Sequence, residues 1–91
     1  MQTLHEQIKE AISLGRLDEA RSMVDAGLAR HETDAQLHYL KGNLYLKAAD
    51  WQQATNCFLR SIELDPSSPA AVSLQMIQDI MNFYHKDLYN P

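Results

Sequence analysis

The sequence predicts an all-α fold built from stacked helical hairpins. Three observations carry that expectation: the chain resembles itself at an offset of 34 residues, helix start and stop signals recur along it, and its central helical segment is apolar around most of its circumference. A period of this length is the mark of an architecture in which each unit is a supersecondary element that cannot bury its own apolar face and stacks on its neighbours.

The offset of 34 places Leu4 on His38, Leu14 on Ala48, Leu17 on Trp51, Ala20 on Ala54, Val24 on Phe58 and Leu28 on Ile62, with Gly27 on the equally small Ser61. Residues 1–34 therefore read as a degenerate first repeat and 35–68 as a fuller second one. A further shift sets Val72 on His38 and Met76 on Gly42, so residues 69–86 read as the first helix of a third repeat without its second helix. The whole, residues 1–91, is expected to form a single domain, with 69–91 as a capping helix and tail.

The five helices follow in order. The first is expected from Thr3 to Leu14, stopped by Gly15 at a position that needs the left-handed conformation. The second runs from Leu17 to Arg30. Gly27 inside it costs about 1 kcal/mol against alanine, and its small size suits a neighbouring helix pressing close. Thr33 followed by Gln36 reads as a capping box opening the third helix, Ala35 to Ala48. Asp50 followed by Gln53 opens the fourth, which ends at Asp65-Pro66 because the residue before proline avoids the helical region. Ser68-Pro69 starts the fifth, with a hydroxyl cap and proline at the first position.

Where the helices of one hairpin cross, a small residue lets the backbones approach. In the second repeat these are Gly42 and Ala54, and Tyr45 and Phe58 fill the space beside them. In the first repeat Ile8 stands at the Gly42 site and Ala11 at the Tyr45 site, a swap that roughly keeps the summed volume. In the third helix Leu37, Leu40 and Leu44 form one apolar row, Gly42 and Tyr45 another, Tyr39 and Leu46 another. Such a helix belongs between neighbours, whereas the first, with Glu6, Gln7, Lys9 and Glu10, suits an outer position.

Gly42, Tyr45, Ala54, Phe58 and Pro66 stand at spacings of 3, 9, 4 and 8, with Trp51 between the helices. On these residues the chain resembles the tetratricopeptide repeat family, and in length it is similar to short stand-alone bacterial members. It departs from the family pattern at Lys41, where an apolar residue is usual and Leu40 is expected to supply the packing. The resemblance implies a right-handed superhelical stack of two repeat units plus a capping helix, five helices in all. It further implies that the first helices of successive repeats line a concave face that binds a protein or peptide. Carried onto this chain, the partner-binding positions are His5, Lys9 and Ile12, then Tyr39, Asn43 and Leu46, then Ser73, Ile77 and Ile80. Each triplet is spaced i, i+4, i+7 and so shares one helical face.

Ile77 and Ile80, if uncovered, are expected to form an apolar patch that favours association. The C-terminal stretch is expected to cap the stack, with Phe83, Tyr84 and Leu88 on Phe58 or Ile62. Insertion of this stretch into a second copy, giving a homodimer, is the alternative.

Composition argues against other classes. The net charge is −4, and the 8 basic residues are scattered rather than gathered into a stripe, so nucleic acid is not an expected partner. His5, His31, His38 and His85 include no i, i+4 pair and no completing Cys or carboxylate, so no metal is expected. Gly15, Gly27 and Gly42 are isolated and form no phosphate loop. Cys57, the single cysteine, cannot form an internal disulfide and reads as a small buried or half-buried thiol. Neither a secretory leader nor a membrane-length apolar run is present, so no membrane partner and a cytoplasmic location are expected. The sequence thus points to a non-catalytic interaction module without cofactors.

Overall fold

The computed structural model describes residues 1–89, with side chains through Phe83. It comprises α1 (Leu4–Ser13), α2 (Leu17–Arg30), α3 (Ala35–Lys47), α4 (Trp51–Leu64) and α5 (Ala70–Tyr89), with no strand among the described residues. The molecule is elongated, 54 × 27 × 19 Å, as a stack rather than a closed bundle should be.

Local chemistry sets the helix ends. The Thr3 hydroxyl accepts from the Glu6 amide and opens α1. Asp50 accepts from the Gln53 amide and opens α4. Ser68 accepts from the Ala70 amide and opens α5. At α3 the cap is Asp34, not Thr33: its Oδ1 accepts from the Gln36 and Leu37 amides at 2.9 and 3.1 Å. A carboxylate on two free amides at the positive end of a helix is favoured over a single hydroxyl one residue earlier. Gly15 adopts φ +77°, the left-handed conformation expected of it.

The buried residues form two clusters. One gathers Ile8, Ala11, Ile12, Ala20 and Val24 from the first hairpin with Leu37, Leu40 and Leu44 of α3. The other gathers Ala54 and Phe58 of α4 with Ala70 and Ile77 of α5. Tyr39 and Tyr45 pack against both. Helix α3 therefore sits in the middle, against α1, α2 and α4, and α5 lies on α4. Leu40 is buried, in the packing role expected of it beside the departing Lys41.

The small residues are where side chains of neighbouring helices press onto the backbone, rather than where two backbones meet. A Cβ on Gly27 would lie 3.0 Å from side-chain atoms of both Leu4 and Leu37. At the equivalent place in the next hairpin, the buried Ser61 hydroxyl donates to the Ala35 carbonyl at 2.6 Å and accepts from Ser68. Volume is also exchanged across the helix pair. Gly42 faces Phe58, while Ile8 at the Gly42 site shares its cluster with Val24 at the Phe58 site.

Helix α5 departs from expectation. Ile77 is 1% exposed and belongs to the core, so it forms no uncovered patch with Ile80, which is half-buried. Phe83, expected to cap Phe58 or Ile62, is 75% exposed. The other two residues of that cap, Tyr84 and Leu88, lie outside the described side chains. No helix among the described residues is long and apolar enough to cross a membrane.

Candidate functional site

The face shared by α1 and α3 carries two adjoining concavities. With Ile8 and Ala11 packed inward on one helix and Leu37 and Leu44 on the other, Lys9, Asn43, Leu46 and one side of Tyr39 border the space between the helices, over Leu40. There a hollow of about 370 Å³ lies between the helices, lined by Lys9, Ile12, Ser13, Leu40, Asn43, Leu46 and Lys47. A second hollow of about 510 Å³ continues from it toward the start of α5. Its walls include Tyr39, Gln36, Ser68 and Pro69, and Lys9, Leu40 and Asn43 border both hollows.

Four of the sequence-predicted positions, Lys9, Ile12, Asn43 and Leu46, meet at the first hollow, and Tyr39 joins Lys9 and Asn43 at the second. Ile12 is only 7% exposed and serves as floor rather than as a projecting contact. Tyr39 has a share in the core, since its ring lies 6.0 Å from that of Phe58 at an angle of 42°.

His5 sits at the edge of this face and is engaged within the chain: its Nε2 meets Asp34 Oδ2 at 2.9 Å, tying α1 to the cap of α3. Burial works to raise the Asp34 carboxyl pKa. The Leu37 amide, the hydrogen bond and charge of His5, and the Gln36 amide outweigh it and hold the group below the usual carboxylate range.

The last triplet does not join the others. Ser73 is half-buried and lines neither hollow, and Ile77 is in the core. Ile80 borders a separate depression on α5 with Val72 and Met76. Lys47 and Ser13 also line the first hollow and are not among the positions expected from the sequence. The available signal was the next step of the same face: Lys47 follows Asn43 by four residues, and Ser13 follows Lys9 by four.

Charge around the hollow is uneven. Lys41 turns toward α2, with its Nζ 3.2 Å from Asp25 Oδ1. Arg21 lies over the Tyr45 ring at 5.4 Å, and Arg60 pairs with Glu63. Lys9 and Lys47 are exposed and make no ion pair among the described residues, and no carboxylate lines the first hollow.

The described residues hold no group of three or more His, Cys, Asp or Glu side chains arranged for a metal ion. His38 Nε2 is bonded to the Glu32 carbonyl at 2.8 Å. Cys57 is half-buried. Burial is the largest influence on its thiol and pushes its pKa up, which Asp25 and Asp50 reinforce and Lys41 opposes. A thiol so placed stays protonated near neutral pH and is a poor nucleophile.

Comparisons with known proteins agree with this architecture. The tetratricopeptide repeat family model matches residues 35–68. The solution NMR structure of Bacteroides fragilis protein BF1650, a structural genomics target, is 41% identical, with a TM-score of 0.85 over 99% of this chain and 91% of that one. No curated protein matches. The hairpin repeat, its small-residue crossings and these likenesses together place the chain in the tetratricopeptide repeat family.

Proposed function

We propose that the protein binds a partner protein or peptide along the face shared by α1 and α3. The repeat is in general a protein-interaction module. The observation that carries the finer reading is the pair of contiguous hollows meeting at Lys9, Leu40 and Asn43. They provide apolar floor, amide donors and acceptors, and an aromatic wall in one trough, the mix that recognises an extended or helical segment. The same reading makes the protein non-catalytic, cytoplasmic and bacterial, without a nucleic-acid or membrane partner. Its scattered basic residues support the absence of a nucleic-acid partner, and its likeness to the Bacteroides protein supports a bacterial source.

The test is affinity capture from a lysate of the source organism with the parent chain and with Asn43→Trp, which fills the trough with a bulky side chain and adds no charge. Tyr39→Ala with Asn43→Ala is the companion variant, checked for folding by circular dichroism because Tyr39 packs on Phe58. Loss of the captured partner from folded variants is expected. Capture that survives both changes places the site elsewhere.

A second reading is homodimerisation through α5, favoured by Val72 (76% exposed) and Met76 (43% exposed), which border an open depression with Ile80. Light scattering over a concentration series tests it. A monomer at the highest concentration rules it out, and a dimer that Val72→Glu with Met76→Glu dissolves supports it.

A further inference from the structure

We infer that the α1–α3 hollow takes an internal stretch of a partner protein in which an aliphatic side chain is flanked by carboxylates. This rests on the concave face being the binding surface and adds the chemistry of what it holds. The floor is aliphatic, built from Ile12, Leu40 and Leu46. The rim is cationic, with Lys9 on α1 and Lys47 in the last turn of α3. In a chain of net charge −4, these two lysines have no carboxylate within ion-pair distance among the described residues, whereas Lys41 and Arg60 each have one. Cations at the mouth of an apolar concavity focus the field there and favour anionic groups over cationic ones. Asn43, between them, offers a donor and an acceptor to a peptide backbone.

The trough also argues that the carboxylate belongs to a side chain. Lys9 and Asn43 border both hollows, so a segment filling both passes Lys9 partway along its length. The second hollow, with Tyr39, Gln36 and Ser68, suits neutral polar groups. Its one acid, Asp65, accepts from the Ser67 amide and hydroxyl at 3.0 and 2.7 Å and keeps its charge, which sends the partner's carboxylates to the Lys9–Lys47 end of the trough. Exposed charge pairs contribute modestly, so the expected preference is about tenfold rather than absolute.

The experiment titrates the isotope-labelled full chain with short acetylated and amidated peptides centred on Glu-Leu-Glu, Gln-Leu-Gln, Lys-Leu-Lys or Glu-Ser-Glu. A further peptide ends in a free carboxylate at the leucine. The Glu-Leu-Glu peptide is expected to shift amides of α1 and α3 around the hollow and to bind about tenfold tighter than the Gln-Leu-Gln and Glu-Ser-Glu peptides. Lys9→Gln with Lys47→Gln, both at exposed positions, should erase the preference over Gln-Leu-Gln, as should high salt.

Equal binding of the glutamine or lysine peptides, a preference that survives the double substitution, or no shift with any peptide overturns the inference. So does tighter binding of the peptide with the free terminus, which would move the recognised carboxylate to a chain end. Shifts confined to the hollow but alike for every leucine peptide overturn the charge recognition and leave the concave-face reading standing. Shifts confined to α5 overturn both.

Discussion

Gly15 and Ala49 occupy the same corner of successive hairpins. Both have positive φ, +77° and +60°. The bonds around them repeat at the 34-residue offset: Gly15 N to Ile12 O and Arg16 N to Ala11 O in the first turn, Ala49 N to Leu46 O and Asp50 N to Tyr45 O in the second. This pair of bonds is the Schellman closure, which satisfies the last carbonyls of a helix by way of a left-handed residue. Glycine takes that conformation freely, whereas alanine brings its Cβ too close to the following carbonyl. Ala49→Gly is therefore expected to stabilise the chain by about 0.5–1 kcal/mol, the relief being partly offset by a freer unfolded state. Gly15→Ala should cost a similar amount, since a Cβ there meets nothing within 4 Å and the penalty is purely conformational. Urea denaturation of the two variants checks both signs.

Gly42 and Phe58 set a stricter limit. A Cβ on Gly42 would fall against Phe58 Cε1 and within 2.5 Å of Cδ1, and Phe58 is fully buried. Gly42→Ala should thus destabilise by about 1–3 kcal/mol through overpacking, despite alanine's better helix propensity. Phe58→Leu in the same chain should recover part of that loss, and a double-mutant cycle measures the coupling. Additive losses from the two changes would mean that the ring and the glycine do not constrain one another.

Ser61 and Ser68 link three helices by hydroxyls. The Ala70 amide donates to Ser68 Oγ, Ser68 donates to Ser61 Oγ at 2.7 Å, and Ser61 donates to the Ala35 carbonyl. Each hydroxyl has one proton, so this direction is the one that satisfies every group. Ser61→Ala removes the central link and leaves the buried Ser68 hydroxyl without its acceptor. A loss of about 1–3 kcal/mol is expected, again by denaturation. A cost near zero would show that the relay adds nothing to stability.

These particulars show what was legible. Helix number and order followed from caps and from the 34-residue offset, because proline, glycine and side-chain oxygens act locally. The cap of α3 is Asp34 rather than Thr33: both are good caps, and the carboxylate that meets two amides also holds His5, a contact 29 residues away that the local sequence does not display. Ala49 left no sequence signal of its own, since alanine is ordinary in a helix and its strain exists only in the turn. The α1–α3 trough was legible as a helical face, but whether a lysine is already paired depends on its neighbour. Lys41 has Asp25, whereas Lys9 and Lys47 have no such partner among the described residues.

The Asp34 carboxyl should carry the acid sensitivity of the α1–α3 junction. Its pKa is lowered by folding, so its contribution is fully present above the unfolded value, about 3.9, and is lost as pH falls through the lower folded value. Carbon-detected titration of the side chain should give a midpoint below the usual aspartate value. In His5→Ala that midpoint should rise, because a hydrogen bond and a favourable charge are both removed. A midpoint unmoved by the substitution would show that the helix amides alone set it.

Helix α5 offers two apolar stripes, and the choice between them is a matter of packing. Ala70, Leu74, Ile77 and Met81 recur at i, i+4, i+7, i+11, and Val72, Met76, Ile80 and Phe83 recur at i, i+4, i+8, i+11. The repeat offset equates Ile77 with Asn43 and so turns it toward the trough. In the structure Ala70, Leu74 and Ile77 of the first stripe pack in one cluster with Ala54 and Phe58 of α4, while Met81 is exposed. Alanine at position 70 lets the helix settle close, whereas Val72 and Met76 on the second stripe are left largely outside. Ile77→Ala is accordingly expected to cost about 2–5 kcal/mol, the range for emptying a buried aliphatic site. Val72→Ala should stay within about 0.5 kcal/mol, as changes at exposed positions do. Measured in the dilute monomer by thermal or urea unfolding, the reverse order would mean that α5 is rotated and presents Ile77 to solvent.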